Sequence, residues 1–454
     1  MFHRGARLSR ESVFRASAIT TDGLTFLEKF DVIVVGAGPA GSTAAYLMAR
    51  GGLKVLLLER GKSPGEKNIF GGRIYSHVLK RIFGNFGDEA PVERYVVRES
   101  LGLMTDSDCT LLDFSSRRRG TRDASSFIAR RSRFDKWLSE RAEAEGALLV
   151  TGTRVDDLYI ENGEIRGIIS AGESIDADCV VDAEGVSATL ARRGGLRSDV
   201  LPGQVKVGVK ETVKLSREQV NDRFSLEDDE GAASVFIGYP AGYLEASGAF
   251  IYTNSDSVSI GVVADPVKLS ASRIEVQRLV EDFRLHPFMR RLLRGGSVIE
   301  YSAHMIPNSV PVAPENLVRG NFIAAGDAAG LFINHGFTYR GVDLAMASGE
   351  AAAKAVVAAH SSGGYSREQL ASYHSHLAEA VLPELERAER GADVLHNPRI
   401  FSDYTHLISD FMSDLFSIDG FGHGSVSSIL SENMKGKVSR IRMLRDMLSA
   451  YRKM

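Results

Sequence analysis

Three glycines, Gly36, Gly38 and Gly41, stand in the run Gly-Ala-Gly-Pro-Ala-Gly, a spacing that lets backbone N–H groups close on a phosphate. The first permits a tight turn, the second a close approach of the backbone, and the third close packing of a helix on a strand. Pro39 and Ala40 belong to the same turn, where the unpaired N–H groups of a helix start would meet the anion. Glu59 ends the next apolar run, at the distance expected of an acid that hydrogen-bonds a ribose hydroxyl, and Arg60 follows it. A second glycine-bearing run, Ala325-Gly326-Asp327-Ala328-Ala329-Gly330, comes nearly three hundred residues later. Dithiol chemistry is excluded, because the two cysteines, Cys109 and Cys179, form no C-x-x-C. They are also too few for a four-cysteine iron–sulfur cluster, a structural zinc site or a disulfide framework.

These residues need particular elements to position them. Phe30–Val35 reads as a buried strand, Pro39–Arg50 as a helix and Leu53–Glu59 as a second strand, which together make one βαβ unit. The apolar stretch Val32–Ala49 is therefore read as strand, turn and helix, and not as a membrane span. The polar stretch Arg60–Arg73, with Gly71 and Gly72 at its end, is too long for a simple turn and is treated as a functional loop. Phe134–Gly146 is expected to be helical, and Leu148–Ile169 to hold a strand and a hairpin turning at Asn162-Gly163. From Asn321 a strand, a glycine-rich turn and an alanine-rich helix ending near His360 resume the first pattern.

The expected fold class is α/β: a discontinuous Rossmann-like domain over 30–204 and 305–385 with a mainly antiparallel β insertion (α+β) over 205–304. A helical C-terminal region over 386–454 follows. Residues 1–29, with Arg4, Arg7, Arg10 and Arg15, are expected to be a disordered extension. A formal net charge of -3 excludes the broad cationic field that phosphate-backbone recognition requires, so nucleic acid is not an expected partner. The cysteine usage fits a reducing cytoplasm.

The second run, 325–330, resembles the second FAD motif of the flavoprotein family that includes aromatic hydroxylases and geranylgeranyl reductases. That resemblance chooses FAD over NAD and implies that Gly326 and Asp327 contact its ribityl and pyrophosphate region. Arg131-Ser132-Arg133-Phe134-Asp135-Lys136-Trp137-Leu138 is similar to the family's R-x-x-F-D-x-x-L, which implies that Arg131 faces the cofactor. Asp182-Ala183-Glu184-Gly185 resembles its D-x-x-G segment, implying that Asp182 and Gly185 lie near the phosphates. Val155 completes the expected cofactor set on that side. On the flavin-ring side stand Gly71, Gly72, Gly336 and Thr338, with Asn334 as a further polar candidate.

Within the superfamily, Lys67–Tyr75, Gly248–Ser259 and Ala325–Leu344 are similar to FixC-type electron-transfer flavoprotein:quinone oxidoreductases, as are Asn397–Tyr404 and Asp414–Gly420. The resemblance implies that electrons enter from a two-subunit electron-transfer flavoprotein and leave through a ferredoxin-like iron–sulfur subunit toward quinone. The cysteine count agrees, since this chain cannot carry such a cluster itself. The alternative is FAD-dependent reduction of isoprenoid double bonds, as in geranylgeranyl reductases. Against it stand the absence of a cysteine from Lys67–Tyr75 and a single tryptophan, Trp137. No acid–base catalytic pair is evident, which suits a relay. Finally, Lys435–Met454 pairs seven cations with one acid, Asp446, beside an apolar stripe from Ile441 to Tyr451, a pattern that could meet an anionic membrane or an acidic ferredoxin. The expected location is cytoplasmic, peripheral on the inner face of the cell membrane.

Overall fold

In the computed structural model the described residues are 17–20, 23–26, 29–66, 72–116, 122–240, 248–308, 316–334, 339–395, 397–418 and 424–453. Gly71, Gly336 and Thr338 lie outside them.

The apolar runs of the sequence form the centre of a parallel sheet. Strands β3 (Phe30–Val35), β4 (Val55–Glu59), β9 (Leu148–Thr151), β12 (Glu173–Asp182) and β19 (Phe322–Ala324) pair in the order β19-β12-β3-β4-β9. Val32, Ile33, Val34, Leu56 and Leu57 have no exposed surface, as expected of strands covered on both faces. β10 (Asp157–Glu161) and β11 (Glu164–Ser170) form the expected hairpin, and β11 pairs antiparallel with the first half of β12. A two-residue strand β18 (Val318–Arg319) pairs with β19.

Helices α1 (Pro39–Arg50) and α2 (Arg131–Ala144) pack on this sheet, and α1 packs against both α2 and α5 (Val342–Ser361). Gly349 sets the approach of α5 to α1: a Cβ there would overlap the carbonyl oxygen of Ala40.

The second sheet is wider than the 205–304 segment expected to contain it. β13 (Val205–Lys214), β14 (Glu230–Gly238), β15 (Gly248–Thr253), β16 (Ser257–Ala264) and β17 (Ser297–Pro307) are joined by four strands from upstream. These are β5 (Arg73–Tyr75), β6 (Arg94–Met104), β7 (Cys109–Ser115) and β8 (Ser126–Ile128), in the path β17-β13-β16-β15-β14-β6-β8-β5 with β7 on β6. The join of β6 to β14 is parallel. Arg94 explains part of it: the side chain is wholly buried, and its guanidinium donates to the carbonyls of Asn254, Glu227, Glu230 and Ser255. A buried cation satisfied by distant carbonyls ties residue 94 to the insertion far more firmly than a linker would. One face of this sheet is covered by α3 (Val276–Leu285) and α4 (Pro287–Leu292), which bury Leu279, Val280, Phe283 and Met289 against Val209, Val213 and Ile260.

Within the N-terminal extension, β1 (Ser17–Thr20) and β2 (Gly23–Phe26) pair as an antiparallel hairpin, and β2 lies against β12. The C-terminal region is helical as expected, through Leu382–Leu395, Asp403–Phe416, Val426–Met434 and α6 (Arg440–Lys453). β20 (Ile333–Asn334) and β21 (Tyr339–Arg340) form a small separate pair.

Candidate functional site

The parallel register places the motifs in one row. Val35, Asp182 and Ala324 are partners across β3, β12 and β19, and Leu58 is the partner of Val35 on the other side. The residues that follow, Gly36, Ala183, Ala325 and Glu59, therefore share the carboxyl edge of the sheet, where ligands of open α/β folds bind.

The glycines of the first motif divide into two kinds. Gly36 has φ +102°, and a Cβ there would overlap the Ala183 carbonyl; a Cβ on Gly41 would overlap the Gly36 carbonyl. Both are required by the protein itself. Gly38 has an ordinary φ of -76°, and a Cβ built on it meets no protein atom within 4 Å. Gly38 is also the N-cap of α1 and supplies no side-chain cap, with Pro39 at the next position. The space in front of it, bounded by free helix-start N–H groups, fits a pyrophosphate.

Glu59 is half-buried and bridges two loops: Oε2 accepts from the Ala37 N–H (3.1 Å) and Oε1 from the Gly61 N–H (2.7 Å). Arg60 is exposed beside it. Val155 lies in the loop after β9, whose Gly152 and Thr153 N–H groups donate to the carbonyls of Gly61 and Glu59, so the 152–156 loop closes this end of the edge. Val155 itself packs against the main core.

Asp182 and Arg131 are both engaged by protein partners. Asp182 is wholly buried, and its oxygens accept from the backbone N–H groups of Glu184 (3.0 Å) and Ala191 (2.8 Å). Burial and the nearby Glu184 push its carboxyl well above the usual range. It shapes the turn that carries Gly185, at φ +81° with open space around it. Arg131 likewise closes on its own helix: Nε and Nη2 each lie 2.8 Å from an oxygen of buried Asp135. Burial alone would lower its pKa, and Asp135 overcomes that, so the guanidinium stays charged. Its charge reaches the cleft without a direct contact: it acts on Asp327, Lys210 and His304.

The second motif lies at the same carboxyl edge. Gly326 has φ +63° and lies against Ala40, its N–H donates to Ser348 Oγ (2.8 Å), and Tyr373 donates to the Ala324 carbonyl (2.8 Å). Burial pushes the Asp327 carboxyl up to about 6, with Arg131 and Arg197 opposing. Arg197 was missed by the sequence reading. Its Nη1 donates to the carbonyls of Asp327 (2.8 Å) and Ala328 (3.0 Å), while buried Nε and Nη2 have no partner. Nothing in its polar surroundings from Arg192 to Asp199 marks it out. A buried cation with two orphaned donors suits an anionic group.

The opposite wall was also missed. On β13 and β17, Lys210 and His304 project from the same face of the second sheet, as do Phe250 and Tyr252 of β15, because their cross-strand partners alternate in step. Lys210 is buried and paired with Glu300 (3.2 Å). His304 is pushed down to about 4 by burial and by the charges of Arg131 and Arg60. At the far end, Phe250 stacks on Tyr252 (4.7 Å between centroids, 22°) and Tyr339 packs on Phe250, Val263 and Ile306. Tyr252 lies 3.6 Å from the Cβ position of Gly72, and burial pushes its phenol up to about 12. Asn334 donates to Asn308 Oδ1 (3.0 Å). The cleft is thus basic at one end and aromatic at the other, which matches a pyrophosphate joined to a flat conjugated ring.

Residues 31–238 match the family model described as FAD dependent oxidoreductase, 206–306 the one described as ETF-QO, ubiquinone-binding, and 392–454 the one described as ETF-QO/FixC family C-terminal domain. The fold and site define an FAD-dependent oxidoreductase. The chain is 41% identical over 418 residues to Protein FixC of Escherichia coli (strain K12), covering 92% of this chain and 97% of that one. It is 40% identical over 420 residues, with the same coverage, to the probable electron transfer flavoprotein-quinone oxidoreductase YdiS of the same strain. The chain belongs to the FixC/ETF-QO family. Among solved structures, a geranylgeranyl bacteriochlorophyll reductase-like protein from Thermoplasma acidophilum has a TM-score of 0.68 at 20% identity, covering 92% of this chain and 99% of that one. CtdE in complex with FAD has a TM-score of 0.54 at 18% identity, covering 85% and 99%. These two likenesses show the fold alone.

Proposed function

We propose that this flavoprotein accepts electrons from a two-subunit electron-transfer flavoprotein and passes them, through a separate ferredoxin-like iron–sulfur subunit, toward quinone. The observation that carries the reading is a coincidence of place. The stretch matching the ubiquinone-binding model, 206–306, supplies β13 to β17, whose inner face bears Phe250 and Tyr252 beside Gly72 at the aromatic end of the cleft. FAD stores two electrons and releases them. Around it the chain's residues would do the rest: α1 and Arg197 hold the pyrophosphate, Glu59 the ribose, and Tyr252 and Tyr339 exclude water from the ring end.

The separate cluster subunit is supported by the thiols. Cys179 is buried in β12 and Cys109 lies in β7; burial raises both, and neither joins a group of potential metal ligands among the described residues. The docking face for that subunit is α6. Ile441, Leu444, Met447, Leu448 and Tyr451 are all exposed, between 48% and 84%, so the stripe is not core. Asp446 fixes the helix through Arg399 (2.7 Å) and Tyr404 (2.5 Å). No described helix is long and apolar enough to cross a membrane; the proposed location is cytoplasmic and peripheral.

The test is anaerobic addition of a reduced electron-transfer flavoprotein to the purified holoprotein, followed by a short-chain quinone with and without the ferredoxin. The expected result is bleaching of the bound flavin, then reoxidation that depends on the ferredoxin. A flavin that ignores the donor but is reoxidised by a geranylgeranyl substrate would favour the isoprenoid-reductase alternative.

A further inference from the structure

On the far side of the second sheet from the cofactor cleft, α3, α4 and the start of β17 enclose an open cavity of about 520 Å³. Its floor is Val213 and Leu293, and its wall holds Arg284, Arg290, Arg291 and Arg294. From Phe283 to Ile299 the chain contains no aspartate or glutamate, in a protein whose formal net charge is -3. Arg284 is offset by Glu211 at 3.0 Å, but Arg290, Arg291 and Arg294 are exposed and make no ion pair among the described residues. Its lining also carries exposed aliphatic side chains: Leu285 and Val298 are each more than 40% exposed.

We infer that this arginine-rimmed hollow seats the protein on an anionic phospholipid bilayer, with lipid phosphates among the three free guanidinium groups. Leu285 and Val298 would lie at the boundary between headgroups and acyl chains. The charge is segregated on a chain that is acidic overall, so the attraction is local and complementary to an anionic surface. The concave shape and the aliphatic rim favour lipid over an acidic protein, whose carboxylates would leave those apolar side chains facing polar surface. The surface lies within the segment matching the ubiquinone-binding model. The inference deepens the quinone reading and rests on it for its purpose, because quinone resides in the bilayer. It also separates two basic surfaces, assigning lipid to this one and the cluster subunit to α6.

Flotation of the full-length holoprotein with phosphatidylcholine vesicles, with and without phosphatidylglycerol, tests it. Wild type should bind only the anionic vesicles and lose binding as salt rises. Each cation near such a surface is worth roughly fivefold in affinity, so the triple variant Arg290→Gln, Arg291→Gln, Arg294→Gln should bind about a hundredfold more weakly. Leu285→Ser with Val298→Ser should weaken binding in a way that salt does not change. Both should keep wild-type flavin content and circular dichroism, because the cavity faces away from the cleft. Deletion of 435–454 should leave vesicle binding intact. Wild-type-like binding by the triple variant, equal binding to neutral vesicles, or no binding at all would overturn the inference, and so would loss confined to the 435–454 deletion. A triple variant that binds vesicles normally but reduces the ferredoxin slowly would assign the hollow to a protein partner. Flavin bleaching by the donor flavoprotein needs no vesicle, so failure here leaves the relay reading standing.

Discussion

The two walls of the cofactor cleft are built on different principles. The wall at the carboxyl edge of the parallel sheet is mainly backbone: glycines that permit close turns, an uncapped helix start and carbonyls that hold Arg197. The wall on the second sheet is side chains alone, with Lys210, His304, Phe250 and Tyr252 projecting from alternate positions of long strands. A backbone wall needs particular residues at fixed spacings, so it leaves a motif. A side-chain wall needs only the right group at a position of the right parity, and leaves none.

The largest effects should come from the backbone wall. Gly38→Val should lower FAD retention at least about 100-fold, since side-chain atoms would fill the phosphate space. The protein should still fold, because no protein atom lies within 4 Å of a Cβ there. Gly41→Ala should instead yield little soluble protein, given the overlap with the Gly36 carbonyl. Flavin-to-protein ratio and soluble yield measure the two outcomes. A well-folded Gly41→Ala, or a Gly38→Val that keeps its flavin, would break the distinction between glycines needed by the fold and a glycine needed by the ligand.

Arg197→Met lies between the two walls in character and should be intermediate in effect. Loss of charge-assisted donors to a phosphate should weaken FAD about 10- to 100-fold, or roughly 1.5–3 kcal/mol. The flavin-free protein should lose far less stability, because two of the donors have no protein partner to lose. Titration of deflavinated protein with FAD, beside urea unfolding of the same preparation, checks both halves.

The difference between the walls also explains what could be read in advance. The β3-α1-β4 unit and the second motif were legible because Val32–Val35 and Val55–Leu58 are uninterrupted apolar runs ending at a glycine turn or an acid. Strands β5 to β8 were not. β6 reads Arg-Tyr-Val-Val-Arg-Glu-Ser-Leu-Gly-Leu-Met, and its buried Arg94 is satisfied by carbonyls more than 130 residues away. No local pattern announces such a long-range pairing. Arg131 and Asp182 show the converse. Their motifs were recognisable, yet a motif fixes where a residue sits without telling what its charged atoms bond. In both cases a neighbour in the same turn or helix takes those atoms.

The smallest effect sets one titrating group of each wall against the other. Asp327, on the backbone wall, is raised from 3.8 to about 6, so the folded protein holds a proton that the unfolded chain releases. That lowers stability as pH rises from about 4 to about 6. His304, on the side-chain wall, is lowered from 6.5 to about 4, so the unfolded chain holds the extra proton and stability rises over nearly the same window. In the flavin-free wild type the two slopes largely cancel. Removing one should uncover the other: Asp327→Asn should grow more stable between pH 4.5 and 6.5, and His304→Gln less stable, each by about 1–2 kcal/mol. Urea unfolding at the two pH values measures the change. Adding FAD supplies the deciding contrast, because phosphate charge near His304 would raise its pKa toward the unfolded value and flatten the slope seen in Asp327→Asn. A slope in Asp327→Asn that FAD leaves unchanged would remove His304 from the cleft and leave the second sheet's basic face without a role in holding the cofactor.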